Sequence, residues 1–221
     1  LPASPSGPAY IAGAALEAGH DVEVFEALFA KDLIGELKAH LDRFTPEVVA
    51  ISIRLVHGFI LDENAQYGTR HLDLRIKVKE IVECIKQNLD AHIVLGGTGF
   101  NYYGPDWLEY LELDYGIRGE ADNTFPLYLK TLAGGGDLHI VPGSVYRSNG
   151  HIEKSTRSFV DDVDTTAMPA YQLFNLENYY QQGISPAITT KRGCAFNCTY
   201  CPYASLEGKR YRLKSPQRVV D

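Results

Sequence analysis

Three of the four cysteines in this 221-residue chain, Cys194, Cys198 and Cys201, fall within eight residues of one another, in the run Gly193-Cys194-Ala195-Phe196-Asn197-Cys198-Thr199-Tyr200-Cys201-Pro202. Thiolates spaced C-x3-C-x2-C can face one point only if a tight loop folds around it, so the chemistry they offer is metal ligation. A set of three suits a cluster in which one iron keeps no protein ligand. Structural zinc or a closed ferredoxin-type cluster needs a fourth ligand, and a zinc knuckle or a site completed by a distant residue stays open at this level. Cys84 is a poor fourth, because it lies more than a hundred residues upstream in an amphipathic helical pattern. Ligation requires thiolates, and nearby cations favour them and offset cluster charge. Lys191 and Arg192, directly before Gly193, are either such neighbours or a solvated basic pair. Gly193 lets the chain turn into the loop, Asn197 is a candidate cap, and Phe196 and Tyr203 either shield the metal or simply pack.

The spacing, with an aromatic residue just before the third cysteine, resembles the signature of radical S-adenosylmethionine (SAM) enzymes. The resemblance implies that Cys194, Cys198 and Cys201 hold a 4Fe-4S cluster whose open iron chelates the amino and carboxylate groups of SAM. Reduction of the cluster would then cleave SAM to a 5'-deoxyadenosyl radical. Tyr200 would lie beside the adenine of SAM, its backbone supplying the contact, and an external electron donor of flavodoxin or ferredoxin type would be needed.

Such a loop needs a scaffold, and residues 1–136 alternate helical and strand patterns. A small-residue helix over 9–18 is closed by Gly19. A strand is expected over 21–25, a helix from 31 with Leu33, Ile34, Leu37 and Leu41 in register, and a buried strand over 48–53. A long irregular stretch over 54–72 precedes a helix over 73–88. A strand over 92–95, a short helix over 105–111, a strand over 115–117 and a helix over 123–132 complete the series. This rhythm predicts a Rossmann-like α/β domain built on a doubly wound parallel sheet. A first strand would normally precede residues 1–8, so the chain is expected to start just after it. Residues 137–186 read as a linker with a small hairpin across Asn149-Gly150 and an acidic solvated turn over 161–164. A strand over 187–190 runs into the cysteine loop, and Ser215 caps a new helix at Pro216. By resemblance, residues 187–221 are the start of a radical SAM (β/α) barrel.

In doubly wound sheets ligands bind at the carboxyl ends of the strands. Ser52, Arg54, Leu55, Gly96, Gly97, Gly119 and Glu120 fall there, with Pro5 and Gly7 in the opening loop. Nucleotides, flavins and corrinoids all exploit such glycines, and no G-x-G-x-x-G follows the expected first strand. The order of features is more specific. Pro5-Ser6-Gly7-Pro8 before a helix, then Ile93-Val94-Leu95-Gly96-Gly97 and Tyr115-Gly116-Ile117-Arg118-Gly119-Glu120, is similar to the cobalamin (B12)-binding domain that precedes the SAM domain in one large radical SAM class. That likeness covers about residues 5 to 218 and implies cobalamin as a third cofactor, contacted by the strand-end residues. The D-x-H-x-x-G loop of other cobalamin domains is absent from residues 1–8. His139 imitates it at the wrong spacing and is expected to be a linker histidine, so the lower cobalt face would lack a histidine, with Arg54 and Leu55 beneath the corrin.

Composition narrows the setting. Hydrophobic residues make up 45% and charged residues 22%, ordinary for a globular protein. No apolar run reaches the ~18–20 residues of a membrane helix, and the opening residues are not a signal peptide. A net charge of −7, from 21 basic and 28 acidic residues, argues against a general nucleic-acid binder. The basic run over 209–214 is instead expected to line the cluster loop or the carboxylate side of SAM. Clustered free thiols indicate a reducing, cytoplasmic location. The resemblance implies a methyltransferase acting on an unactivated carbon of a small molecule or peptide through methylcobalamin. Its alternatives are a cyclase of the tetrapyrrole kind, a non-catalytic corrinoid or cluster carrier and, with only Cys84 in the first domain, a methylthiotransferase-like enzyme. Some 35 residues beyond 186 cannot close a barrel, so this chain alone is expected to be inactive.

Overall fold

The computed structural model describes residues 3–54 and 74–220. Helix α1 (Ser6–Glu17) ends on Ala18 and Gly19, whose φ of +89° lets the Gly19 and His20 amides turn back onto the Leu16 and Ala15 carbonyls at 3.0 and 3.1 Å. Asp32 caps α2 (Leu33–Phe44) by accepting from the Gly35 amide at 3.1 Å. Strand β1 (Val48–Ser52) follows, then α3 (Leu74–Asn88), β2 (His92–Gly96), α4 (Thr98–Leu111), β3 (Tyr115–Ile117) and α5 (Thr124–Ala133). The hairpin of β4 (Ser144–Ser148) and β5 (His151–Lys154) turns through Asn149 and Gly150 at φ +48° and +81°, the two left-handed residues that a type I' turn requires. Beyond it come α6 (Leu176–Gln181), β6 (Lys191–Arg192), α7 (Tyr203–Glu207), β7 (Arg212–Leu213) and α8 (Pro216–Val220).

The main sheet runs in the order β1-β2-β3-β4-β5, parallel across β1, β2 and β3 and antiparallel from β3 onward. Alternation along β2 shows how both faces are covered. Val94 packs with Tyr115, Ile117, Phe125 and Tyr128 under α1 and α5. Leu95, its neighbour, packs with Ile53, Val82, Phe100 and Trp107 under α3 and α4. Leu37 and Leu41 seat α2 on Cys84 and Ile85 of α3. The Rossmann-like α/β architecture is as expected, with one addition: the hairpin assigned to a linker extends the sheet, Tyr115 to Ile117 pairing with Tyr146 to Ser144.

Three other expectations are corrected. Residues 21–25 form no strand, since no ladder partner lies beside them among the described residues. Residues 187–190 are not a strand either: the strand is the two-residue β6, paired with β7. The acidic turn over 161–164 is not merely solvated. Asp162 caps the short helical turn Val163–Thr165, and Asp164 accepts from the Ser215 amide at 2.9 and 3.2 Å. Ser215 caps α8 as expected, accepting from the Arg218 amide at 3.2 Å.

The small-residue character of α1 has a structural cause. A Cβ on Gly13 would fall on the Met168 carbonyl oxygen, and the Ala170 amide donates to the Ala9 carbonyl at 2.8 Å. A strap from the later chain thus crosses α1 at backbone contact distance. It returns to the beginning of the chain where the Ala187 amide donates to Ser4 Oγ at 2.8 Å and the Tyr171 hydroxyl donates to the Ala187 carbonyl at 2.7 Å.

Candidate functional site

The carboxyl ends of β1, β2 and β3 form an edge lined largely by backbone. Gly97, at φ +91°, opens α4, and a Cβ there would stand 2.6 Å from the Ile53 carbonyl oxygen. Only glycine therefore lets the chain leave β2 against β1, where the Gly99 amide donates to the Ile53 carbonyl at 2.7 Å. Gly119, at φ +94°, makes the equivalent turn after β3, with Ser158 and Arg157 packed against it. Ser52 and Arg54 are exposed at the end of β1, while a Cβ on Gly96 would meet the Ile117 carbonyl oxygen at 3.8 Å, an ordinary contact. At the start of α1, Pro5 is buried and Gly7 is exposed, with nothing within 4 Å of where its Cβ would be. Leu55 and the rest of the stretch over 55–73 lie outside the described residues.

One side chain ties this edge together, and no motif pointed to it. Asn101, in the first turn of α4, donates through Nδ2 to the Gly97 carbonyl at 3.1 Å and accepts the Gly119 amide on Oδ1 at 2.6 Å. The two strand-end turns are thereby held by a single amide. Helix α4 is kinked just beyond, at Tyr103, where Pro105 cannot donate to the preceding turn.

The cysteine loop is pinned at its base. Gly193, at φ +85°, lies so close under Arg210 that a Cβ would fall on the Arg210 carbonyl oxygen. Its amide donates to Glu207 Oε2 at 3.2 Å, and the Cys194 amide donates to the Gly208 carbonyl at 3.0 Å. Cys194 and Cys201 are half-buried and Cys198 is exposed. Among the described residues no three His, Cys, Asp or Glu side chains are gathered around one point. The three thiols share one short span without being gathered at a point, and as donors they fit a cluster that leaves one iron to another ligand. Tyr200, Phe196 and Tyr203 are 88%, 66% and 56% exposed, so neither Phe196 nor Tyr203 shields the thiols here. Asn197 makes no side-chain hydrogen bond to the described residues. Cys84 is buried in the α2–α3 core. Burial raises the pKa of the Tyr102 phenol, with lesser contributions from Tyr203 and Cys201.

Of the basic residues flanking the loop, Lys191 reaches the Gly193 carbonyl at 3.3 Å at the loop's base, whereas the others point elsewhere than expected. Arg192 does not face the thiols: it makes a paired contact with Asp122 at 2.7 and 2.8 Å and lies 3.7 Å from Glu120. Burial opposes its charge, but Asp122 and Glu120 outweigh burial and hold the guanidinium more firmly protonated than usual. In the 209–214 run, Arg212 turns inward onto both oxygens of Glu120 at 2.7 and 2.6 Å and onto the Val160 and Glu207 carbonyls. Lys214 reaches the Tyr10 hydroxyl at 3.0 Å, while Lys209 and Arg210, the latter paired with Asp161 at 2.8 Å, stay on the surface. Glu120, expected at a ligand, also accepts the Val160 amide at 2.8 Å, so its carboxylate is fully engaged within the protein. The Arg212–Glu120 pair is 5% and 9% exposed. Removing one partner would strand a buried charge, at a cost of about 3–5 kcal/mol.

His139 stacks on Tyr146 at 3.9 Å beside Asp137, away from the strand ends, as a linker histidine should. No helix among the described residues is long and apolar enough to cross a membrane.

Comparison with known proteins bears on this edge directly. A family model described as the B12 binding domain matches residues 2–129. An uncharacterized methyltransferase of Pyrococcus horikoshii is 28% identical over 98% of this chain, and the hopanoid C-3 methylase of Methylococcus capsulatus is 26% identical over 98%. The chain spans 44% and 39% of those two relatives, less than half of each. Its fold matches the radical SAM methyltransferase TsrM of Kitasatospora setae over 100% of this chain and 42% of that one, at 22% identity. The TM-score is 0.81 for the form with tryptophan substrate and a SAM analog bound, and 0.79 for the form with cobalamin and a 4Fe-4S cluster bound.

Proposed function

Because the chain belongs to the B12 binding domain family through residues 2–129, we propose that it is the corrinoid- and cluster-bearing part of a cobalamin-dependent radical SAM enzyme, a methyltransferase acting at an unactivated carbon. The observation that carries this reading is the junction between the base of the cysteine loop and the strand-end edge, where Glu207 accepts from both the Gly193 amide and Arg212, and Arg212 grips Glu120. When bound, the 4Fe-4S cluster with SAM supplies a deoxyadenosyl radical and cobalamin supplies the methyl group.

The residues divide the work. Ser52, Arg54, Gly96, Gly97 and Gly119 offer a low, largely side-chain-free surface that a broad flat ring can approach, with Pro5 and Gly7 at the start of α1. Leu55, outside the described residues, is proposed as a further corrin contact by family resemblance alone. Glu120 serves as an anchor that holds Gly119 in position. Cys194, Cys198 and Cys201 are the cluster ligands, and the exposed Tyr200 is free to lie along an adenine. The substrate would be a small molecule or peptide, the reductant a flavodoxin- or ferredoxin-type protein, and the setting cytoplasmic. The net charge of −7 supports the expectation that nucleic acid is not a partner.

Anaerobic reconstitution followed by iron, sulfide and cobalt analysis tests the reading. The parent chain should take up both iron–sulfide and cobalamin, and Cys198→Ser should lose iron while still taking up cobalamin. Iron uptake without cobalamin would remove the cobalamin-dependent assignment. Cobalamin uptake with unchanged iron in Cys198→Ser would remove the cluster assignment.

A further inference from the structure

We infer that Arg212 and Glu120 couple the two cofactor loops, so that ligation at the cysteines alters corrinoid affinity at the strand ends and the reverse. The inference rests on the function proposed above and adds a linkage between its two sites.

The connection is continuous. At the cysteine loop the Gly193 amide donates to the Glu207 carboxylate at 3.2 Å, and the Glu207 carbonyl accepts from Arg212 Nη2 at 2.5 Å. The same guanidinium grips both oxygens of Glu120. Glu120 follows Gly119, whose amide is held by Asn101 at 2.6 Å, and Asn101 in turn holds the Gly97 carbonyl at 3.1 Å. Gathering three sulfurs around one cluster must draw in a loop that now carries Cys198 exposed and Cys194 and Cys201 half-buried. The base of that loop, Gly193, is packed directly under Arg210, two residues from Arg212 in β7. A planar fork fixed at four acceptors transmits such a displacement as a change of position, whereas a lysine would relax around a single contact. Arg192 on Asp122 supports the same junction from the adjacent strand. Arg212 and Glu120 are thus positioning residues that act through Glu207 and Gly119.

Linkage is reciprocal, so it can be read from one side. The 221-residue chain is titrated with hydroxocobalamin by absorbance, first as purified without cluster and then after anaerobic reconstitution with iron and sulfide. The parent should show dissociation constants differing by about fivefold or more between the two states, within the usual span of such couplings. In Arg212→Lys, which keeps the charge and loses the fork, the ratio should fall to about one while iron content and a cooperative thermal melt persist. Glu207→Gln, less buried and retaining a neutral acceptor for Gly193, should give an intermediate ratio and covers the case in which Arg212→Lys fails to fold. A ratio of one in the parent overturns the inference and leaves the proposed function intact, as does a parental ratio retained in both variants. Failure of the parent to bind hydroxocobalamin in either state overturns the proposed function itself.

Discussion

Replacing Gly13 by alanine sets two effects of opposite sign against each other. In an exposed helix interior the change is favourable by up to about 1 kcal/mol, because glycine has more backbone freedom to lose. At Gly13 the added Cβ falls on the Met168 carbonyl oxygen, with the Met168 carbonyl carbon 3.1 Å and the Ala170 amide nitrogen 3.5 Å away. All three are backbone atoms, so no side chain can rotate aside. The strap must lift from α1, which strains the buried contact by about 1–3 kcal/mol and lengthens the Ala170-to-Ala9 hydrogen bond, a further loss of about 0.5–1.5 kcal/mol. The balance is a destabilisation of about 2 kcal/mol, or roughly 4–8 °C in Tm for a chain of this size. Urea unfolding followed by circular dichroism measures it, with the Gly7→Ala variant as control, since nothing lies within 4 Å of that position. A Gly13→Ala protein as stable as the parent, or more so, would refute the idea that backbone contact with the strap dictates this glycine.

Two further perturbations probe how the late part of the chain is seated. Tyr10→Phe keeps the ring under the Lys214 ammonium, 4.7 Å from its centroid, but removes the hydroxyl that accepts from it. A loss of about 1.5–3 kcal/mol is expected, the range for a hydrogen bond to a charged group, and an unchanged urea midpoint would mean that Lys214 finds another acceptor. The second concerns pH. Hydrogen bonds from Ser215, with lesser help from the Arg218 and Lys214 charges, hold the Asp164 carboxyl below its ordinary value of 3.8. A depressed carboxyl contributes stability that is complete above its unfolded value and is lost as pH falls through the lower folded one. Amide protection in α8 should therefore hold at pH 5–6 and drop below about pH 4, and Asp164→Asn should flatten that step. Equal drops in both proteins would detach the effect from this carboxylate.

Much of the fold could be read in the residues because it rests on local or near-local patterns. The apolar run of β2, the Asn149-Gly150 turn and the glycine after α1 each carry their own structural requirement. Residues 21–25 misled because alternation reports only which side chains face inward. Val22 and Phe25 do pack inward, but a strand also needs a neighbour for its amides. Helix α4 was read only from Pro105 because Gly104 and Pro105 look like breakers, whereas the helix starts at Thr98 and absorbs them as a kink. The cysteines were legible from spacing alone. Their basic neighbours were not, because the acids that claim Arg192 and Arg212 lie 70 and 92 residues away. Proximity in sequence suggested a partner two residues off. Asn101 carried no signal, since a polar residue in a first helical turn is common and only the turn at Gly119 gives it a purpose.

The strap across α1 also bears on the order in which the protein can be completed as it leaves the ribosome. Ser4 is bonded to a residue 183 positions later, and at ~5–20 residues per second that partner emerges about 10–40 s after it. The Ala9–Gly13 face of α1 lacks its cover until Met168 and Ala170 have emerged. Synthesis of this chain therefore contains an obligatory wait, during which its first helix is a ready target for holdase chaperones and for premature contacts with other nascent chains.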